Sequence, residues 1–148
     1  MTRKFNIAIG VVVALALSGA TLFAAAQWLK GPTLSLSGTT LTLSGKATGL
    51  GNATGITFHV SGTVDVDSRC YNRGGNKPQA DNKQESVNVD ATFSAPVQNG
   101  QTTLNNVFVA TVSSTLQCPG SQIVVIENID FSGLSIAADG YPALTFTF

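Results

Sequence analysis

"GITFHVSGTVDVDSRCY", residues 55–71, carries the pattern on which the fold turns. Ile56, Phe58, Val60, Val64, Val66 and Cys70 alternate with Thr57, His59, Ser61, Thr63, Asp65, Asp67 and Arg69. Successive side chains of a strand point to opposite faces, so a period of two over this length describes a half-buried strand, or a bent pair, with one apolar face. Gly62 interrupts the apolar face at its middle, which predicts a bend, a bulge or a close approach of other backbone.

The flanking segments keep the same period. Val87, Val89, Ala91 and Phe93 repeat it, and "QNGQ" (98–101) follows with Asn-Gly, the dipeptide favoured in tight hairpin turns because both central residues need positive φ. The expectation is that a strand from about Thr102 to Val112 returns against the one before it. Upstream, "TLSLSGTTLTLSGKATG" reads as two short strands around Gly38, with Leu34, Leu36, Leu41 and Leu43 inward. Downstream, the aliphatic run Ile123–Ile126 suggests burial on both sides. Ile129 and Phe131 then keep one phase while Leu134 and Ile136 take the other, which places a β-bulge at Ser132-Gly133. Asp139-Gly140 turns the chain into an expected last strand, with Leu144, Phe146 and Phe148 alternating with Ala143, Thr145 and Thr147.

No long stretch has the helical period. About seven short strands separated by turn signals predict an all-β fold, an antiparallel immunoglobulin-like β-sandwich. A small outer-membrane β-barrel is the rival, since the chain ends in alternating aromatics. Barrels wear aromatic girdles at both interfaces, whereas this chain has two Tyr and one Trp, and several expected strands fall short of the ~9–11 residues that a tilted spanning strand needs.

The N-terminus sets the expected compartment. Arg3 and Lys4 precede a run rich in Ile, Val, Leu, Ala and Phe, and Ala24-Ala25-Ala26 offers small residues to a signal peptidase. Residues 1–26 thus read as a secretory signal peptide cut after Ala26, leaving 27–148 as a single domain. A retained anchor is the competing reading, because about 20 apolar residues can cross a bilayer. The small-residue cleavage site and the lack of a basic flank after it favour cleavage. The chain has eight Lys/Arg and eight Asp/Glu; removing Arg3 and Lys4 leaves six cations against eight anions. A nucleic-acid partner needs a basic patch that this balance does not supply.

Cys70 and Cys118 are the two cysteines. In an exported chain an even, minimal count reads as one disulfide. With no CxxC and a single histidine, they do not form a zinc set. Cys70 opens the most polar stretch, "CYNRGGNKPQADNKQ" (70–84), which reads as a loop pinned at its first residue and kept irregular by Gly74-Gly75 and Pro78. Tyr71, Asn72, Arg73, Asn76, Lys77 and Lys83 are its candidate binding residues. Arg73, Lys77 and Lys83 hold half of the mature cations.

"GKATGLGNA" (45–53), the Cys70–Asn76 run and Cys118-Pro119-Gly120, in that order, resemble a family of small secreted bacterial β-rich proteins. That family pairs a Gly-Leu-Gly-Asn segment with Cys-x-Asn-x-Gly-Gly-Asn and a downstream Cys-Pro. The resemblance spans nearly all of the chain beyond the signal segment. It implies an exported domain with the two cysteines paired, and no assigned activity.

The remaining polar residues suggest little chemistry. His59 shares its face with hydroxyls and Asp65, but no Gly-x-Ser-x-Gly nucleophile turn accompanies it. Asp65 and Asp67 could join Asp81 or Asp90 around calcium, yet no ligand loop of recognised spacing is present. Asn52-Ala53-Thr54 fits a glycosylation acceptor. Trp28 and Tyr71 are single aromatics rather than a sugar platform, and Trp28 is expected to staple the N-terminal segment to the sandwich.

The expectation is a secreted, periplasmic or cell-surface β-sandwich that binds an extracellular or envelope partner, or a second copy of itself. It is expected not to be an enzyme, to take no cofactor or metal, and to insert in no membrane after signal cleavage. A small hydrolase using the His59 face is the alternative.

Overall fold

The computed structural model describes residues 24–75 and 78–148, and within them the chain forms two antiparallel sheets packed face to face. In chain order the strands are β1 (Gln27–Ser37), β2 (Thr40–Thr48), β3 (Gly55–Tyr71), β4 (Pro78–Pro96), β5 (Gln101–Thr111), β6 (Ile123–Asp130), β7 (Leu134–Ala138) and β8 (Phe146–Thr147). One sheet has the order β1-β2-β5. The other runs β4-β3-β7-β8, with β6 also paired to β3. Hairpins β1/β2 and β3/β4 lie in different sheets, and the chain crosses between sheets after β2, β4 and β5, which is the immunoglobulin-like sandwich arrangement rather than a closed barrel. Counting β6 and β7 as one interrupted strand gives seven.

The period-two reading of residues 55–71 holds along the whole of β3. Phe58, Val60, Val64, Val66 and Cys70 are fully buried and Ile56 nearly so. Against them pack Leu41, Leu43, Leu104 and Val109 of the opposite sheet. Phe58 stacks between Trp28 and Phe93, with ring centroids 5.8 and 5.6 Å away. Trp28 also donates its Nε1 proton to Leu144 O at 3.0 Å, so the expected N-terminal staple is present. Gly62 is a close approach: it has φ +129°, and an added Cβ would lie 2.0 Å from Gly133 O.

The predicted slip at Ser132-Gly133 is the break between β6 and β7. Pairing of β3 stops at Asp65↔Asp130 and resumes at Gly62↔Leu134. Two residues of β3 therefore oppose three, and Leu134 N bonds Phe131 O at 2.8 Å across the turn. The extra residue restores the inward phase, so Leu134 and Ile136 are fully buried.

Four expectations are corrected. The Asn99-Gly100 turn forms, with φ +51° and +70° and reciprocal Gln98–Gln101 bonds of 2.8 and 3.0 Å. The strand after it nevertheless pairs with β2 in the other sheet, where Leu104 and Val109 are buried in the core between the sheets, while the outer side of β4 stays an edge. The Ile123–Ile126 run is not buried on both sides: β6 is an edge strand, with Ile123 44 % and Val124 40 % exposed. The expected last strand is mostly replaced by a 3-10 turn at Pro142–Leu144, leaving only Phe146–Thr147 paired as a strand. Proline's fixed φ suits the first helical position, and the turn drops Leu144 fully into the core. Finally, the polar stretch 70–84 is only partly loop. Tyr71 pairs with Pro78 and Arg69 with Asn82, so residues 78–84 are strand and, among the described residues, only 72–75 stay irregular. Proline is tolerated as the first residue of an edge strand, and polar side chains do not prevent backbone pairing.

Candidate functional site

The candidate binding residues gather at the distal end of the β3/β4 hairpin, where the second sheet outruns the first. Beyond Val66 the inward positions turn polar: Ser68 and Cys70 on β3, with Lys83 opposite Ser68 and Glu85 opposite Val66 on β4. The 112–122 connector lies against them, bonded through Ser114 and Thr115. The Cys70–Cys118 disulfide fastens it, with Cα atoms 5.6 Å apart and a sequence separation of 48.

Around this bond lies a hydrogen-bonded cluster. Ser114 Oγ donates to Glu85 Oε2 at 2.7 Å, Thr115 N donates to the same oxygen at 2.9 Å, and Thr115 Oγ1 donates to Glu85 Oε1. Lys83 Nζ stands 3.0 Å from Glu85 Oε1 and also donates to Thr115 Oγ1. Ser114 Oγ lies 2.5 Å from Ser68 Oγ, whose residue is buried. Hydrogen bonds from Thr115, then Ser114, hold the Glu85 carboxyl at about 2, well below its ordinary 4.5. Lys83 is thus spent on the connector and does not project as a free contact.

The outer side of the same end is also braced. In β6 one residue is bulged out between Asp67↔Asn128 and Ser68↔Ile126; it is Glu127. Its carboxylate accepts the Tyr71 hydroxyl proton at 2.5 Å and lies 3.5 Å from Arg69 Nε. The hydrogen bond to Glu127 raises the Tyr71 pKa above its ordinary value. Of the other expected contacts, Asn72 and Arg73 are exposed at the tip, where Gly75 N bonds Asn72 O at 2.7 Å. Asn76 and Lys77 lie outside the described residues.

The His59 face makes a second cluster. One imidazole nitrogen, Nδ1, lies 3.0 Å from Thr92 Oγ1 and the other, Nε2, lies 2.9 Å from Asp139 Oδ1. The carboxylate that His59 meets is therefore Asp139 at the end of β7, not Asp65. Asp65 instead accepts from Ser86 Oγ at 2.5 Å and sits opposite Asp130 across the strand pair. Asp130 accepts from Ser132 N at 2.8 Å, and that bond lowers its pKa. Asp67 accepts from Asn128 Nδ2 at 3.4 Å. Asp90 pairs opposite Ser61, four ladder positions from Asp65, and the side chain of Asp81 lies outside the described residues. Among the described residues no three His, Cys, Asp or Glu converge as metal ligands. The His59 cluster can relay a proton between a hydroxyl and a carboxylate, but His59 is 43 % and Asp139 65 % exposed, where water competes with both bonds.

Glu85, Ser114, Thr115, Glu127, Thr92 and Asp139 are missing from the sequence-based expectation. One signal was available for Glu85. It shares the inward phase of Val87, Val89, Ala91 and Phe93, and a carboxylate on an apolar phase needs a partner. The others depend on contacts across 29 to 80 residues of sequence, for which no local pattern exists. Compared with protein-family models, with curated proteins and with solved structures, the chain finds no match in any of the three.

Proposed function

We propose that this chain is an exported β-sandwich that works by binding, through the distal end of its β3/β4 hairpin, and not by turning over a substrate. The observation that carries the reading is the bracing of that end from both sides. The disulfide and the Glu85 cluster hold it on the inner side, and the Tyr71–Glu127–Arg69 group holds it on the outer side. A tip of exposed polar residues on so rigid a base loses little conformational freedom when it meets a partner. The disulfide fits an oxidising, extracellular or periplasmic setting. The resemblance to small secreted bacterial β-rich proteins, and the signal-like start, support the same compartment. Among the described residues no helix is long and apolar enough to cross a membrane.

Residues 72–77 are the segment to exchange, since 78–84 belong to β4. A Gly/Ser replacement of 72–77 keeps the thermal transition, because changing the length of a surface loop costs only about 0.6 kcal/mol per doubling. In a pull-down from native cell envelope it loses the partners that the intact protein captures. Identical partner profiles for the two proteins would refute a binding tip.

The hydrolase reading retains one supporting observation, the Thr92–His59–Asp139 chain of hydrogen bonds. His59→Ala assayed on a panel of activated esters separates the two. A turnover that disappears with the imidazole would replace the binding reading, whereas equal background rates leave binding in place.

A further inference from the structure

We infer that the outer edge of β6 is the interface through which two copies of this chain pair, strand to strand, into a symmetric dimer. In the second sheet, β3 is flanked on one side by β4 along its length and on the other by β7 and β6 in succession. β8 covers the far edge of β7. Among the described residues nothing covers the far edge of β6, so its outward N–H and C=O groups form an open ladder in line with β8.

Beside that edge runs a groove of about 510 Å³ between β6 and the β1/β2 turn, with Val124, Ile126 and Ile129 on one wall and Leu36, Gly38 and Thr39 on the other. Ile123 and Val124 are consecutive members of the small set of large apolar residues left exposed. An added strand would bond to the β6 backbone and set alternate side chains into this groove.

The other edges carry devices that discourage pairing. β1 is broken by register shifts on both sides of Lys30 and contains Pro32. β4 presents Lys83, Glu85 and Asp90, and the connector bonds across its end. β5, the other edge of the first sheet, is bent by two register shifts against β2 and by Asn106 at φ +48°, and β8 is only two residues long. Natural sheets protect edges with charges, prolines, bulges and short strands, and Ile123–Ile126 has none of these.

Charge placement selects a second copy as the occupant. A two-fold axis perpendicular to the sheet keeps every residue on its own face, so opposed residues must match in phase. With Val124 opposite Val124 of the other copy, Ile123 faces Val125, and because β6 starts at Ile123, Glu127 and Asp130 lie beyond the paired segment. An axis at Glu127 would instead set carboxylate against carboxylate. The aliphatic run is therefore self-complementary in the register that keeps both β6 carboxylates from meeting, and the Glu127 bulge marks where pairing stops.

Sedimentation equilibrium of the purified, disulfide-intact protein across a concentration series tests this. Wild type is expected to shift from monomer to twice that mass. Val124→Lys, which puts a charge on the groove side of the edge, should raise the dimer dissociation constant about tenfold or more while keeping the far-UV spectrum. If Val124→Lys does not fold, Ile123→Lys supplies the charge on the outer side of the same strand and carries the same expectation. A wild type that stays monomeric, or a folded lysine variant that dimerises as wild type does, overturns the proposal. The 72–77 replacement leaves β6 untouched and should dimerise normally, so failure of the binding tip and failure of this interface are separate results.

Discussion

The two ends of the second sheet are held by different physics. Around Phe58 the sheet faces its partner sheet, and the contact is apolar: Phe58 between Trp28 and Phe93, above Leu41 and Leu43, all drawn from several strands. Around Cys70 the sheet faces a connector with no regular structure, and the contact is polar and covalent. Apolar packing is non-directional and spread over many atoms. The distal cover instead rests on one bond and one carboxylate, each with fixed geometry. A sandwich whose second sheet outruns its first can therefore close the overhang without a larger core, provided a few groups are placed well.

The comparison is broken most forcefully at the apolar end. Phe58→Ala should destabilise the protein by about 3–5 kcal/mol, because the ring leaves a cavity that three strands cannot fill. Denaturant unfolding reads this as a lower midpoint with an unchanged slope, and a loss under 1 kcal/mol would mean that the ring stack is not the keystone of the core. At the distal end, changing Cys70 and Cys118 together to Ser should cost about 2–4 kcal/mol. The loss should fall first on the connector, seen as faster amide exchange at residues 112–122 than at Phe58 and its neighbours. Uniform loss of protection would merge the two ends into one cooperative unit.

The Glu85 substitution sharpens the comparison with the smallest effect. Its carboxyl sits near 2 when folded and 4.5 otherwise, so its contribution is complete above about pH 4.5 and falls away as pH drops toward 2. Glu85→Gln should reduce stability at neutral pH by less than the cysteine change and flatten the loss between those two pH values. A variant with the wild-type acid slope would assign that slope to other carboxylates.

Much of this architecture was legible locally. The alternation in residues 55–71 and 87–93, the Asn99-Gly100 turn and the one-residue slip at Ser132-Gly133 are properties of neighbouring residues, and each is found where the pattern put it. The candidate contacts were less legible. Tyr71 and Lys83 look free in the sequence, yet Glu127 and Glu85 hold them through contacts 56 and 2 residues away. The near contact was hidden as well, because the polar run from Pro78 to Gln84 read as loop and concealed that Lys83 and Glu85 share the inner face of β4.

By itself the sequence determined which residues face inward, where the chain turns and, through two cysteines in an even count, which pair is joined. Strand pitch, side-chain alternation and turn stereochemistry are set by nearest neighbours. Only the tertiary structure decided that β5 leaves β4 for β2, that the aliphatic β6 lies at an edge instead of in the middle, and that Asp139 rather than Asp65 meets His59. A strand's pattern records that one of its faces is dry but says nothing of which edge lies beside it. Edge pairing is a competition among all free ladders of the chain, settled when the two sheets close over a shared core.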